Sequence, residues 1–310
     1  MRISIFFITL CSFLGAFALE PFALITVPVA NLREEPRHGS ELLSQGIMGT
    51  PVEVRSKSGE WYAVTMPDGY EGYMIGNSLQ LMTEEQFREW QDADRLVLPF
   101  GGMVQEEPSR ASRAVSPLRS GSVVTFRNDG IRSDRIFVYL PDGRSGYVDT
   151  RLTIPFKPFG LTELDDELAE KLIDQGLKRV GQEYLWGGTS DKASDCSGFT
   201  RVLFQSNGIY LPRDAWQQAL AGQEVDRDHL TEGDLIFFAN TKGRVNHVGI
   251  YMGDGLMLHC SGMVRVDRIF NESPYPELPK YHLKPAKYRR VLTGEPLESD
   301  IKANKLYFNK

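Results

Sequence analysis

Apolar and polar residues alternate through the first half of the chain in short runs, and then the rhythm lengthens. Across residues 60–66, Trp61, Ala63 and Thr65 fall on one side of an extended chain and Tyr62, Val64 and Met66 on the other. That period of two is what a half-buried strand imposes. Pro67-Asp68-Gly69 follows. Proline presets φ, the aspartate bonds back to the backbone and glycine accepts positive φ, so the stretch reads as a turn. From Thr83 to Asp94 the chain turns polar, with Phe87 and Trp90 three apart, which predicts a short helix capped by Thr83. After an extended, proline-containing linker, Leu164, Leu168, Leu172 and Ile173 form one apolar face behind Thr162 and a run of acids. This predicts an amphipathic helix that Gly181 ends. Another helix is predicted from Cys196, where Phe199, Val202, Leu203 and Phe204 recur at helical spacing up to Asn207-Gly208. Residues 235–238, 245–252 and 256–260 are apolar runs that read as strands, the last two joined by Gly253-Asp254-Gly255.

The alternating half repeats itself. Glu34-Glu35-Pro36 recurs as Glu106-Glu107-Pro108. Pro67-Asp68-Gly69, with Gly72-Tyr73 after it, recurs as Pro141-Asp142-Gly143 with Gly146-Tyr147. The near-constant offset marks a duplication. Short strands and tight turns in a unit of about 60 residues imply a small β-barrel. The two copies resemble bacterial SH3-like domains over residues 24–82 and 95–155, with residues 83–94 as a helical connector.

A chain of 310 residues admits two or three domains. Its net charge of −6 argues against nucleic acid as a partner. The N-terminus changes the picture more. Arg2, the apolar run from Ile3 to Leu14 and Ala16-Phe17-Ala18 read as a signal peptide over residues 1–18. The run is short for a membrane span. The protein is therefore expected to be exported, to a periplasm or outside the cell. Leu10 before Cys11 is larger than a lipoprotein site usually tolerates. Cleavage leaves Cys196 and Cys260. In an oxidising compartment they could pair, but one bridge is a poor staple for a chain this size. The alternative is a free thiol that does chemistry.

Cys196 falls at the start of its helix, where unsatisfied N–H groups and the dipole favour an anion and depress a thiol pKa. Gly198 would leave room beside the sulfur for a substrate backbone. His247 and His259 stand on the two strands of the hairpin, so one imidazole can serve as base and the other can fix its tautomer. At these residues the chain resembles a known family. Asp195-Cys196-Ser197-Gly198-Phe199, Asn246-His247-Val248-Gly249-Ile250-Tyr251 and His259 are similar to the core of the NlpC family, papain-like cysteine peptidases of bacterial cell walls. Tyr184-Leu185-Trp186-Gly187-Gly188 and Gly233-Asp234-Leu235 match as well. The resemblance implies an α+β papain-like domain over residues 162–290, behind two SH3-like barrels, with residues 291–310 as a C-terminal tail.

The same resemblance implies roles. Cys196 would be the nucleophile, His247 the general base and His259 the orienting residue. Tyr184 and the backbone N–H of Cys196 would stabilise the oxyanion. Two SH3-like domains ahead of such a core resemble γ-D-glutamyl-L-diamino acid endopeptidases, which act on peptidoglycan stem peptides with a free N-terminal L-Ala. Asp195, Ser197, Glu35 and Tyr70 are then candidate substrate ligands, since an acid suits a protonated amine. The second copy has Arg144 where the first has Tyr70, as expected if only the first faces substrate. Arg213-Asp214 also matches the family. Arg213 would either clamp a substrate carboxylate or, the favoured role, lock helix to sheet.

No cofactor is implied, and Cys196, His247 and His259 lack the paired spacing of a structural zinc site. Cys260 reads as a core residue, and His38, His229 and His282 as surface residues. Two other functions fit the same features: a non-enzymatic peptidoglycan-binding module, and a thiol amidase or acyltransferase.

Overall fold

The structure is a computed structural model that describes residues 19–132, 134–156, 166–207, 209–291, 293 and 305–308. The expected signal peptide, residues 157–160 of the linker, the capping Thr162 and Leu164 lie outside the described residues. No helix among those described is long and apolar enough to cross a membrane.

The duplication is visible in the topology. Residues 22–82 and 95–155 each form a seven-stranded antiparallel sheet. Numbered in chain order within each copy, the strands of both lie side by side as third, second, sixth, fifth, fourth, first, seventh. In the first copy Tyr62, Val64 and Met66 point into a core with Leu32, Val52 and Met74. Trp61, on the opposite face, is covered edge-on by His38 at 5.0 Å. The Pro-Asp-Gly turns put Gly69 at φ +77° and Gly143 at φ +84°, a conformation that costs glycine least.

The connector helix Glu84–Asp92 begins as expected. Thr83 accepts from the Gln86 N–H, and the Gln86 side chain accepts from the Thr83 N–H. The two sheets meet closely, with Val123 N donating to Met48 O at 3.0 Å.

The remaining chain builds one eight-stranded sheet with helices packed on it. Leu235–Ala239, Val245–Tyr251 and Leu256–Ser261 run antiparallel beside one another. Met263–Arg268 extends the sheet on one side and Pro285–Arg290 on the other, two strands that the sequence reading did not single out. Helices Asp166–Leu177 and Cys196–Ser206 cover this sheet, burying Leu172, Phe199, Leu203 and Phe204 against Phe237, Val248, Ile250 and Leu258.

Residues 305–308 correct the expectation of a tail. Leu306, Tyr307 and Phe308 are buried among Leu24 of the first sheet, Phe87 and Trp90 of the connector, Val97, Val123 and Phe156 of the second sheet and Tyr210 of the third. Arg95 donates to Tyr307 O at 2.8 Å, and Gln91 donates to Lys305 O at 2.6 Å. The segment therefore fills the seam where all three sheets meet.

Candidate active site

The cysteine helix starts at Cys196 because Asp195 caps it, its Oδ1 accepting from the Gly198 N–H at 2.7 Å. The other oxygen accepts from Gly187 N at 3.0 Å and from Arg213 Nη2 at 2.5 Å. Arg213, 2% exposed, also donates to Ser197 Oγ at 3.1 Å. Asp195, Ser197 and Arg213 thus hold one another at the head of the helix. The expectation for Gly198 needs correcting. A Cβ there would meet the Gly188 carbonyl oxygen at 2.0 Å, so the missing side chain admits the chain's own backbone rather than a substrate's.

The Cys196 sulfur lies at the backbone on either side of His247. It is 3.9 Å from Asn246 O and receives a hydrogen bond from the Val248 N–H. His247 and His259 sit on one face of their strands, with Nε2 of the first 2.8 Å from Nδ1 of the second. Beyond them His259 Nε2 is 3.1 Å from Asp267 Oδ2, which also accepts from Arg265 Nη2 at 2.7 Å. Asp267 was missed in the sequence, although it shares the parity of His259's partner Arg265 one strand away. Tyr281 was missed too. Its ring stacks on His247 at 5.1 Å and meets His259 edge-on at 4.9 Å.

Burial dominates the electrostatics. Desolvation, then the Asp195 carboxylate, push the Cys196 thiol up to about 12. Desolvation, then His259, bring the His247 imidazole down to about 3. The site therefore holds a neutral thiol beside a neutral imidazole. The direction is opposite to the one expected from the helix terminus, because burial, and after it the acid that caps the helix, outweigh the dipole that the helix supplies. Burial, then Cys196 and Asp195, hold the Tyr184 hydroxyl protonated, and Tyr184 packs against the apolar cluster containing Cys196. Cys260 is fully buried with its thiol against Ser194 O at 3.2 Å, and both cysteines are free. His38, His229 and His282 are exposed, as expected. Among the described residues no three His, Cys, Asp or Glu side chains are grouped as a metal site.

Cys196 opens onto a cleft of about 430 Å³ whose far wall belongs to the first barrel: Glu41, Leu42, Leu43 and Tyr70 face Trp186, Asp214 and Trp216 across it. Trp186 Nε1 donates to Glu41 Oε1 at 2.9 Å, and the Tyr70 hydroxyl donates to Asp214 Oδ2 at 3.3 Å. Glu35 is not part of this lining; its carboxylate turns back onto Arg37 at 2.6 Å. The acid that reaches the cleft from that loop is Glu41. The barrel is held there firmly. Arg201 of the cysteine helix is buried against Asp68, two residues before Tyr70, and against the Tyr210 hydroxyl. Thr189 exchanges hydrogen bonds with Gln45, its N–H donating to Gln45 Oε1 at 3.1 Å and its hydroxyl to Gln45 O at 2.7 Å.

The second seven-stranded sheet repeats this edge with other side chains. Glu106 N donates to Arg113 O at 2.9 Å as Glu34 N does to Glu41 O at 3.1 Å. Arg144 N donates to Asp142 Oδ1 at 3.2 Å as Tyr70 N does to Asp68 Oδ1 at 3.2 Å. Arg113 and Arg144 thus stand where the first copy has Glu41 and Tyr70, and both are exposed.

Known proteins carry the same layout. The NlpC/P60 family model matches residues 181–281 and the bacterial SH3 domain model residues 28–80. The chain is 31% identical over 245 residues to the gamma-D-glutamyl-L-lysine dipeptidyl-peptidase of Bacillus cereus, covering 72% of this chain and 68% of that one. It is 31% identical over 261 residues to the Bacillus subtilis protein of the same name, covering 78% and 81%. The crystal structure of an NlpC/P60 family protein from Bacillus cereus aligns with a TM-score of 0.74 at 26% identity, over 87% of this chain and 99% of that one. Agreement that runs through both the barrel half and the thiol-bearing half leaves one assignment: the chain belongs to the NlpC/P60 family and is a cysteine peptidase.

Proposed function

We propose that the protein is an exported endopeptidase that hydrolyses the γ-D-glutamyl–diamino acid bond of peptidoglycan stem peptides bearing a free N-terminal L-Ala. The observation that carries this reading is the acidic wall of the cleft, where Glu41 and Asp214 flank Tyr70 and Trp186. Paired acids with aromatic faces suit a protonated α-amine. A wall at a fixed distance from the sulfur selects a short N-terminal stub. Relatives named for γ-D-glutamyl-L-lysine dipeptide release support the same bond. In this reading the second seven-stranded sheet is a second SH3-like barrel, and the sheet-and-helix unit has the papain-like arrangement.

The chemistry is acyl transfer through sulfur. His247 takes the Cys196 proton as the sulfur attacks the γ-carbonyl carbon. The C=O pair moves to oxygen, and the resulting oxyanion is held by the Cys196 N–H and the protonated Tyr184 hydroxyl. Collapse breaks the C–N bond; the His247 imidazolium returns its proton to the departing amine and leaves a thioester. Water, deprotonated by His247, attacks the thioester, and the acid and the thiol are released.

Cys196→Ala is expected to abolish cleavage of L-Ala-γ-D-Glu-L-Lys. Retained cleavage would end the assignment. The amine site is tested by the N-acetylated peptide, which is expected to be a far poorer substrate; equal rates with the free peptide would remove the acidic end from the account.

A further inference from the structure

We propose that Asp267 is a positioning residue for the reaction: acting through His259, it holds His247 in the one tautomer whose lone pair faces the nucleophile. The inference deepens the proposed function and rests on Cys196 as nucleophile and His247 as base.

The argument is a count of protons. Asp267 is fully buried, and its Oδ2 accepts from Arg265, a group that only donates. Although burial works against it, hydrogen bonds from His259 and Arg265 keep the carboxyl below its ordinary range, so it too only accepts. His259 Nε2, 3.1 Å away, must therefore carry a hydrogen. Burial keeps His259 neutral despite that carboxylate, so its Nδ1 is a lone pair. That lone pair faces His247 Nε2 at 2.8 Å, and His247 Nε2 must in turn carry a hydrogen. The remaining lone pair of His247 is then on Nδ1, the ring nitrogen nearer its own backbone, where the Cys196 sulfur lies between Asn246 O and the Val248 N–H.

Without the carboxylate, two arrangements of the histidine pair satisfy the same 2.8 Å contact equally. In the second, His259 Nδ1–H donates to His247 Nε2 and the His247 hydrogen sits on Nδ1. That form cannot accept the thiol proton. Asp267 breaks the tie. It also favours the imidazolium formed during attack, against Arg265, His259 and His282, which disfavour it. The neutral groups on the other sides are Tyr281, stacked on His247, and the Cys196 thiol. Asp267 Oδ1 is buried with no hydrogen-bond partner among the described residues. A carboxylate kept in place at that cost is poorly explained by stability alone.

The first test needs no variant. In the resting enzyme labelled with ¹⁵N-histidine, NMR is expected to show the hydrogen on Nε2 of both His247 and His259; a hydrogen on Nδ1 of either overturns the proposal, whether or not any Asp267 variant folds. Asp267→Ala is expected to mix the tautomers and lower kcat about 10- to 100-fold with little change in KM. This is less than the about 10⁴-fold loss for a carboxylate that orients its base directly. A folded variant with kcat within about twofold of the parent overturns the proposal. Asp267→Asn keeps an oxygen for both donors, so it is expected to keep the tautomer, lose less activity and move the acid limb of kcat/KM to lower pH. In a His259→Ala background, Asp267→Ala is expected to cost nothing more, and additive losses would show that it does not act through His259. Failure of the functional reading looks different: Cys196→Ala would still cleave while the tautomers stay as described.

Discussion

At Cys196 two consequences of beginning a helix oppose each other. The free N–H groups invite a negative sulfur, and the Asp195 cap, sealed in by Arg213, repels it. His247 carries the complementary burden, since it is neutral in the fold and readily protonated in the unfolded chain. Its pKa falls from 6.5 to about 3 on folding, so between those values the unfolded chain binds a proton that the folded chain refuses. Stability contributed by this residue is present above pH 6.5 and is lost on acidification towards 3, at about 1.4 kcal/mol per pH unit. Urea midpoints at pH 7, 6 and 5 should fall accordingly, and His247→Ala should flatten part of that slope. At the acidic end of the cleft, Glu41→Gln should raise KM for amine-terminated peptides roughly fivefold, about 1 kcal/mol for an exposed charged contact, with kcat nearly unchanged. The N-acetylated peptide should not sense the change. Cys196 and both histidines were legible in the sequence because their chemistry demands those side chains in that order. Glu41 was not, because Glu35 stands in the same loop, and only the Arg37 contact and the hydrogen bond from Glu35 N to Ser40 Oγ decide which acid turns outward.

Among the elements, the cysteine helix shows how little freedom the site has. Its first turn lies directly on the backbone of Gly188, and Gly198 permits that approach. Gly198→Ala should cost about 1–3 kcal/mol and tilt the turn that carries the sulfur. A thermal melt and kcat should therefore fall together, whereas a site unaffected by the shift would lose only stability. Periodicity identified this helix and the hairpin bearing the histidines, since each has one apolar face. Met263–Arg268 escaped because only Val264 and Val266 mark its apolar parity, and Arg265 and Asp267 on the other read as a solvated face. Those charges serve the histidines, so the function of the strand obscured its signal.

At the scale of the whole molecule, the repeat was plain in the sequence, and the identical strand order of the two seven-stranded sheets follows it. Which copy walls the cleft goes with the exchange of Glu41 and Tyr70 for Arg113 and Arg144; the repeat had paired Tyr70 with Arg144, and the shared loop hydrogen bonds pair Glu41 with Arg113. The role of residues 305–308 was not legible at all, because a short apolar cluster after a polar stretch has no period to read. Tyr307, 1% exposed, lies within ring contact of Trp90, Phe156 and Tyr210. Tyr307→Ala should cost about 3–5 kcal/mol in chemical denaturation, and limited proteolysis should then open the junction between the sheets first.

That junction also sets an order of events. Arg95 meets Tyr307 across 212 positions of chain. Synthesis delivers the chain from its N-terminus, so both seven-stranded sheets and the sulfur-bearing helix emerge before the segment that packs between them. A nascent molecule therefore carries its sulfur for a time before the seam between its three sheets is filled.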